Sequence, residues 1–205
     1  MMKLGLGLAL AATAALGACA TTPRVAPVEV SRFHLGAPLE TGTLTTEPMP
    51  GAGAPGLEFR SYAAAIETEA LKNGFTIPAS GTTAQYVAVL GFSRTARQGP
   101  PKSGGLTIGL GGGGFSGGRD GGGGVGLGGG VSFPVGTQRF REIVVTQMTV
   151  QIRRRRDGTV IWEGRAETSA DGAAPEAQTD PTAAKLARAM FQGFPGESGR
   201  TITVK

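Results

Sequence analysis

A long alternating segment in the second half of the chain constrains the fold most. In residues 141–153 (REIVVTQMTVQIR) the side chains divide between two faces, with Thr146, Met148, Val150 and Ile152 on one of them. Asp157-Gly158 then marks a hairpin turn, because the central residues of a tight turn tend to need positive φ. Residues 159–168 (TVIWEGRAET) return as the partner strand. The segment predicts an antiparallel β-hairpin with one buried face.

Three further strands and an irregular connection are predicted from shorter patterns. Residues 28–35 (VEVSRFHL) alternate as a first strand, and residues 36–56 are rich in Gly, Pro and Thr and predict an irregular connection. Residues 84–92 (AQYVAVLGF) form a nearly continuous apolar run, which indicates a strand buried on both faces. Residues 201–204 (TITV) predict a terminal edge strand.

Two amphipathic segments predict helices. Residues 57–73 carry an apolar stripe and are followed by Gly74, which adopts the left-handed conformation of a helix C-terminus without steric cost. The second helix is predicted to begin with Asp180 as N-cap and Pro181 as first helical residue, and to end at Gly193. Its apolar stripe comprises Ala183, Leu186, Ala187, Met190 and Phe191. Together these elements predict an α+β fold, a two-layer sandwich whose mainly antiparallel sheet carries two helices on one face.

The N-terminus has the organisation of an export signal. A positive start at Lys3 precedes an uncharged apolar run, residues 4–16, and then Gly17, Ala18 and Cys19. Residues 16–19 (LGAC) are similar to the lipobox of bacterial lipoproteins, in which acyl chains such as palmitate are attached to the cysteine. We expect residues 1–18 to be a signal peptide, Cys19 to be lipidated, and residues 19–27 to be a tether to a single domain, residues 28–205. The alternative is a plain secreted protein with an incidental cysteine.

The anchor sets the expected location and limits the chemistry. Ala20 follows the cysteine, and similarity to lipoprotein sorting in enteric bacteria implies the periplasmic face of the outer membrane. Cys19 is the sole cysteine, so with its sulfur in a thioether to diacylglycerol the chain has no disulfide and no thiol nucleophile. Without residues 1–18, 19 basic and 15 acidic residues leave a charge of +4, which permits anionic partners. The periplasmic address argues against nucleic acid.

Residues 104–130 contain 17 glycines among 27 residues. Gly109–Gly114 matches the letters of a dinucleotide loop, but further glycines follow where that loop needs a helix. Ser116 matches a hydrolase elbow, which needs a helix after the serine and a histidine base, and His34 is the sole histidine. We therefore predict neither a cofactor site nor a catalytic site here. The tract is predicted to be a long flexible insertion, with Leu106–Leu110 and segments around Val125 or Val131 as weak strand arms.

Four consecutive arginines, Arg153, Arg154, Arg155 and Arg156, precede the predicted turn. Because alternate residues of a strand point to opposite faces, not all four are expected to form one patch. One interpretation is a solvated hairpin end that discourages edge pairing. The other is a contact for phosphate or carboxylate groups on a lipid, a glycolipid or a partner protein, which Arg139 and Arg141 could extend. Trp162 is interpreted as a core residue, with a ligand-stacking surface as the alternative. His34 and the nearby glutamates lack metal-ligand spacing, so we expect no metal.

Several of these segments together resemble a known family. They are the lipobox, the helix ending in residues 71–75 (LKNGF), the glycine-rich middle, residues 161–164 (IWEG) after Asp157-Gly158, and the helix closing on Phe194-Pro195. This set resembles the Gram-negative envelope lipoproteins known as domain of unknown function 4136, over most of residues 28–195. One departure is Ala84-Gln85-Tyr86, where the family carries an Asp before the apolar run. The family has no assigned catalytic residues, and its layout is similar to that of small periplasmic accessory modules.

The sequence thus predicts an outer-membrane-anchored periplasmic lipoprotein that acts as a binding or accessory module for an envelope protein or glycolipid, without enzymatic activity or cofactor. A binder of anionic lipid or glycolipid through the arginine hairpin is the first alternative. An envelope serine hydrolase using a serine, His34 and a carboxylate, for which Asp120 is available, is the second.

Overall fold

A computed structural model of the chain describes residues 26–36, 38–101, 106–110, 131–135 and 140–205. One turn of 3-10 helix, Pro175–Ala177, precedes the second α-helix. In chain order the elements are β1 (Val28–His34), β2 (Leu44–Pro48), α1 (Leu57–Lys72), β3 (Tyr86–Pro101), β4 (Leu106–Leu110), β5 (Val131–Val135), β6 (Phe140–Arg154), β7 (Val160–Asp171), α2 (Thr179–Phe191) and β8 (Thr201–Val204).

Six strands form one open sheet in the order β2-β3-β6-β7-β1-β8. Every neighbouring pair is antiparallel except β2–β3, which is parallel. The long hairpin β6–β7 lies at the centre, with Thr146 opposite Thr168 and Ile152 opposite Trp162. The predicted α+β class, a mainly antiparallel sheet with two helices, is confirmed.

The core lies between the sheet and the helices. Because side chains alternate along a strand, the even-numbered residues of β3, β6 and β7 face the helices. Among them Leu90, Val150 and Trp162 are almost completely buried. The predicted apolar stripe of α2 is buried in full, and α1 buries Tyr62, Ala63, Ile66 and Ala70. Trp162 therefore belongs to the core, and its Nε1 donates to the Pro195 carbonyl at 3.0 Å.

The opposite face of the sheet carries a polar network. Gln151 donates to Glu163 at 2.9 Å, and Arg165 bonds the same carboxylate. Val87 and Val89 lie on this face and are nonetheless buried, at 7% and 6% exposure. The prediction that this strand is buried on both faces is confirmed. Long polar side chains on β6, rather than a second helical layer, lie opposite these valines.

Residues 36–56 are not wholly irregular, and that prediction is wrong for the part that forms β2. Leu44 of β2 is buried, but Thr45, Thr46 and Glu47 give no apolar alternation. The strand exists because β3 offers it a parallel partner from Tyr86 to Leu90. Tertiary pairing rather than local propensity determines this element.

The start of α2 also differs from its prediction. Gln178 is the N-cap and makes no side-chain capping hydrogen bond, so Asp180 is the second helical residue and Pro181 the third. Proline is tolerated there because the first turn has no acceptors for its N–H groups. The predicted helix ends are confirmed, since Gly74 and Gly193 both have positive φ.

The turn between β6 and β7 is longer than the Asp-Gly pair predicts. Arg154 N donates to Thr159 O at 2.9 Å, which leaves residues 155–158 as a four-residue loop. Gly158 has a φ of 71°, whereas Asp157 does not have positive φ. Arg155 and Arg156 therefore belong to the loop rather than to a strand.

Two parts of the glycine-rich segment are described. β4 and β5 pair antiparallel, with Ile108 opposite Phe133, so Leu106–Leu110 forms a strand arm as predicted and Val131–Val135 forms its partner. Residues 111–130 lie outside the described residues. With them lie Ser116, Asp120, the alternative arm at Val125 and most of the Gly109–Gly114 match.

Candidate binding site

The arginine hairpin is the end of β6 and the loop that follows it. Arg154 Nη1 lies 3.2 Å from Asp157 Oδ2, and Arg156 Nε lies 3.3 Å from the same oxygen. Arg155 Nε donates to Ala84 O at 3.1 Å, and its Nη2 bonds Glu47. Three of the four predicted arginines are thus held in defined positions by groups of this chain.

Arg153 is separated from the other three. It lies on the polar face of the sheet, where its Nη2 donates to Gln151. Its Nε is buried without a hydrogen-bond partner among the described residues. The expectation that alternation on the strand splits the arginine run is confirmed, and Arg153 does not line the cavity of the other three.

Asp157 organises the loop. Its Oδ1 accepts a hydrogen bond from Thr159 N at 3.0 Å, while Oδ2 faces Arg154 and Arg156. The Thr159 backbone N–H, together with the Thr159 side chain and Arg154, holds the pKa of Asp157 well below its usual range. The carboxylate is therefore ionised at neutral pH and keeps the two guanidinium groups close together.

The three arginines line one concave surface. A cavity of about 760 Å³ lies elsewhere, beside β3, whereas the cavity at the hairpin measures about 450 Å³. The hairpin cavity is bounded by Glu40, Thr83, Ala84, Gln85, Tyr86, Arg154, Arg155 and Arg156, and we call it the arginine cleft. The side chain of Arg156 is 76% exposed, against 29% for Arg154 and 34% for Arg155. A carboxylate or phosphate entering the cleft would therefore meet Arg156 first and the other two deeper inside.

A second cavity of about 320 Å³ adjoins the arginine cleft. It shares Glu40, Tyr86 and Arg154 with the cleft and adds apolar side chains from Leu35, Leu39 and Ile161. The two cavities form one groove with a basic half and an apolar half. Such a groove suits an extended polar segment that also carries an apolar side chain.

The strand register places the N-terminal entry and the arginine cleft at opposite ends of the sheet. Val28, the first residue of β1, lies beside Thr168 of β7, and Thr168 pairs with Thr146 of β6. Nine residues further along β6 and its loop lies Arg155, a distance of about 30 Å for an extended strand. Ala26 and Pro27, which lead back toward Cys19, approach Thr168 and Lys185 at the end remote from the cleft.

His34 lies on β1, under the loop 194–199. Its Nε2 lies 3.2 Å from Gly196 O, and its Nδ1 is buried without a partner among the described residues. Neither ring nitrogen bonds a hydroxyl or a carboxylate there. The structure therefore does not place a Ser–His pair around His34 within the described part of the chain.

Arg32, two residues before His34, is a buried cation that the sequence did not single out. It is 4% exposed, and its Nη2 donates to Ala189 O at 2.8 Å near the end of α2. Burial lowers the pKa of Arg32. Its alternation with Val28 and Val30 was the available signal, because it places Arg32 on the core face.

The described segments also bear on metal binding and on membrane crossing. No group of three or more His, Cys, Asp or Glu residues in these segments could hold a metal ion. None of the helices in these segments is long and apolar enough to cross a membrane.

Two solved structures that align with this chain are distant from it in sequence. A PDZ domain protein from Parabacteroides distasonis aligns over 87% of this chain with a TM-score of 0.46 and 12% identity, and this chain spans 39% of that protein. The PelC dodecamer from Paraburkholderia phytofirmans aligns over 83% of this chain and 99% of its own, with a TM-score of 0.39 and 10% identity.

Sequence comparison is more informative. The uncharacterized protein ZMO1243 of Zymomonas mobilis is 35% identical to the chain over 216 residues, covering 87% of this chain and 80% of that protein. Residues 46–196 match the family described as Domain of unknown function (DUF4136), and this span includes the arginine cleft apart from Glu40. The chain belongs to the domain of unknown function DUF4136 family.

Proposed function

We propose that this protein is a lipid-anchored, non-catalytic module of the bacterial cell envelope that binds an acidic partner protein through the arginine cleft. The observation that carries the proposal is the convergence of Arg154, Arg155 and Arg156 on one cavity with an apolar extension. Guanidinium groups bind carboxylates through paired hydrogen bonds, which gives both attraction and orientation.

The position of the anchor favours a protein partner over lipid of the same membrane. Ala26 lies seven positions after Cys19, and a fully extended chain over seven positions reaches about 24 Å. The cleft lies about 30 Å along the sheet from the entry point of the chain. With the sheet upright on a Cys19 anchor, the cleft therefore points away from the membrane that holds the lipid.

Binding is tested with two defined probes. Poly-L-glutamate represents an acidic polypeptide, and vesicles containing phosphatidylglycerol represent an anionic lipid surface. We expect the protein to bind poly-L-glutamate, with an affinity that falls as salt rises from about 50 to 300 mM because exposed charges are screened. The double variant Arg154→Gln/Arg156→Gln should lose most of this binding, while the matched control Arg188→Gln, on an exposed position of α2, should retain it.

The outcomes separate the alternatives. Binding to vesicles but not to poly-L-glutamate, lost in the double variant, would replace the protein partner with an anionic lipid or glycolipid. Binding whose affinity does not change with salt would contradict an electrostatic contact in the arginine cleft. Binding that Arg188→Gln weakens as much as the double variant does would contradict specific binding in the cleft.

The anchor has its own test. In cells fed a fatty-acid analogue, the wild-type chain should incorporate label and Cys19→Ser should not. Equal labelling of the two chains would remove the anchor from the proposal. Absence of reaction with a fluorophosphonate probe is the expected result for a non-catalytic module, whereas stoichiometric labelling of a serine would support the hydrolase alternative.

A further inference from the structure

The strand β3 has a long unpaired edge. β2 pairs only with its first part, Tyr86 to Leu90, and no other strand of the described residues pairs on that side. Tyr86 N donates to Thr43 O and Leu90 O accepts from Met49 N, both at 2.9 Å, so the even-numbered residues of β3 point their backbone groups toward this edge.

The same alternation continues along the free part of the strand. Phe92, Arg94, Ala96 and Gln98 direct their N–H and C=O groups outward, and among the described residues these groups make no hydrogen bonds. The free stretch has natural limits. Leu90 O is already occupied by Met49, and Pro100 has no N–H to donate.

We propose that this edge, Phe92 to Gln98, pairs antiparallel with the same edge of a second copy of the chain, around a two-fold axis at Thr95. In that register Phe92 lies opposite Gln98 of the second copy, and Arg94 lies opposite its Ala96. Four residues on each copy then contribute all their outward groups, and eight hydrogen bonds satisfy both edges.

The side chains select this register. Centred on Thr95, each Arg97 lies opposite a Ser93 and the two threonines face each other, a favourable cross-strand pair. Centring the axis on Arg94 would put the two guanidinium groups directly opposite, which is unfavourable. Centring it on Ala96 would set Phe92 against Pro100, which cannot donate a hydrogen bond. The edge is therefore complementary to itself in one register.

Space for the second strand exists beside the edge. The cavity of about 760 Å³ lies between loop 49–56 and residues Gly91–Ser93, and Met49, Phe59 and Phe92 give it apolar walls. In the proposed register Gln98 of the second copy lies opposite Phe92, at this cavity. The paired edges lie at the opposite end of the sheet from the arginine cleft, so dimer formation and partner binding can be tested separately.

Disulfide trapping tests the register in the full-length chain in isolated membranes. The two Thr95 residues form a non-hydrogen-bonded pair, whose Cα atoms lie about 4.5 Å apart and within disulfide range. The two Arg97 residues are offset by four positions, or about 14 Å. Under mild oxidation we expect at least about tenfold more covalent dimer from Thr95→Cys than from the control Arg97→Cys, which is also at an exposed position. The chain without an added cysteine controls for Cys19.

A second pair of variants tests the backbone pairing. Ala96→Pro removes an outward N–H and should abolish trapping when combined with Thr95→Cys, whereas Ala96→Thr keeps the N–H and should preserve it. Circular dichroism checks that each chain folds, and if Ala96→Pro fails to fold, the comparison of positions 95 and 97 still decides. Equal trapping at 95 and 97, absence of trapping at 95, or full trapping in a folded Ala96→Pro chain would overturn the proposal.

Discussion

At the scale of single residues, Tyr62 is buried with a hydroxyl group that has no hydrogen-bond partner among the described residues. Its ring stacks on Phe92 with a centroid distance of 4.4 Å, and its oxygen makes no hydrogen bond within the described residues. A buried unsatisfied hydroxyl costs about 1–3 kcal/mol. We expect Tyr62→Phe to raise the free energy of unfolding by about 1 kcal/mol in urea titrations. A loss of stability would mean that the hydroxyl has a partner.

The same residue predicts a response to alkaline pH. Desolvation raises the pKa of Tyr62 to about 12. The charge of Arg94 lowers this pKa by a smaller amount, and the charge of Glu58 raises it. The unfolded chain releases this proton from about pH 10, whereas the folded chain keeps it, so wild-type stability falls as pH rises through this range. Tyr62→Phe should lose less stability than wild type between about pH 10 and 12. Parallel curves for the two chains would contradict the raised pKa.

Gly164 is packed so closely that a larger residue at this position should disturb the core. A Cβ at this position would lie 2.8 Å from Met190 Cγ and Sδ, and closer still to the Trp162 ring. Because overpacking a core typically costs about 1–3 kcal/mol, Gly164→Ala should lower the free energy of unfolding by that amount. Gly56→Ala is the matched control, since its Cβ meets no atom within 4 Å and its φ of −84° suits any residue. Equal stability of the two variants would contradict the close packing of Gly164 against Trp162 and Met190.

Among the elements, the loop between β6 and β7 has a distinct pH dependence. The depressed pKa of Asp157 means that its stabilising contribution is present above the ordinary carboxyl pKa, about 4, and is lost as pH falls toward its folded value. Asp157→Asn should therefore be less stable than wild type at pH 6, and the difference should shrink as the solution is acidified. Thermal unfolding at a series of pH values measures it. A difference that is independent of pH would show that ionisation does not support the loop.

The elements also show what could be predicted from the sequence. The β6–β7 hairpin and both helices follow from local periodicity, because their buried stripes are visible without knowledge of the partners. β2 could not be found this way, since only Leu44 is buried and its pairing with β3 bridges some forty residues. The N-cap of α2 was misassigned because Asp180-Pro181 is a common helix start, whereas here the helix begins two residues earlier, at Thr179, with Gln178 as N-cap.

The candidate site was predictable only in part for the same reason. The run Arg153–Arg156 is evident in the sequence, and alternation predicted that it would split. Arg155 is held by the Glu47 carboxylate, which belongs to β2, and by the Ala84 carbonyl, which lies just before β3. The cleft therefore depends on long-range pairing that no local pattern reports.

For the whole molecule, the two ends of the sheet have different proposed roles. Ala26, Pro27 and the free edge of β3 lie toward one end, and the arginine cleft lies at the other. With the proposed lipid anchor at Cys19, the domain would present the cleft to the periplasm, where a partner could reach it without contacting the membrane. This polarity is the central claim for the molecule's function.

Photocrosslinking in intact cells of the source organism tests that claim most directly. A benzophenone amino acid at Thr83, an exposed position on the wall of the cleft, leaves the three arginines in place, and the same group at Arg188 serves as the control. We predict a protein adduct of defined mass from position 83 that disappears in the Arg154→Gln/Arg156→Gln background and is absent from position 188. An adduct with lipid, an adduct that survives loss of the two arginines, or no adduct from position 83 would contradict it.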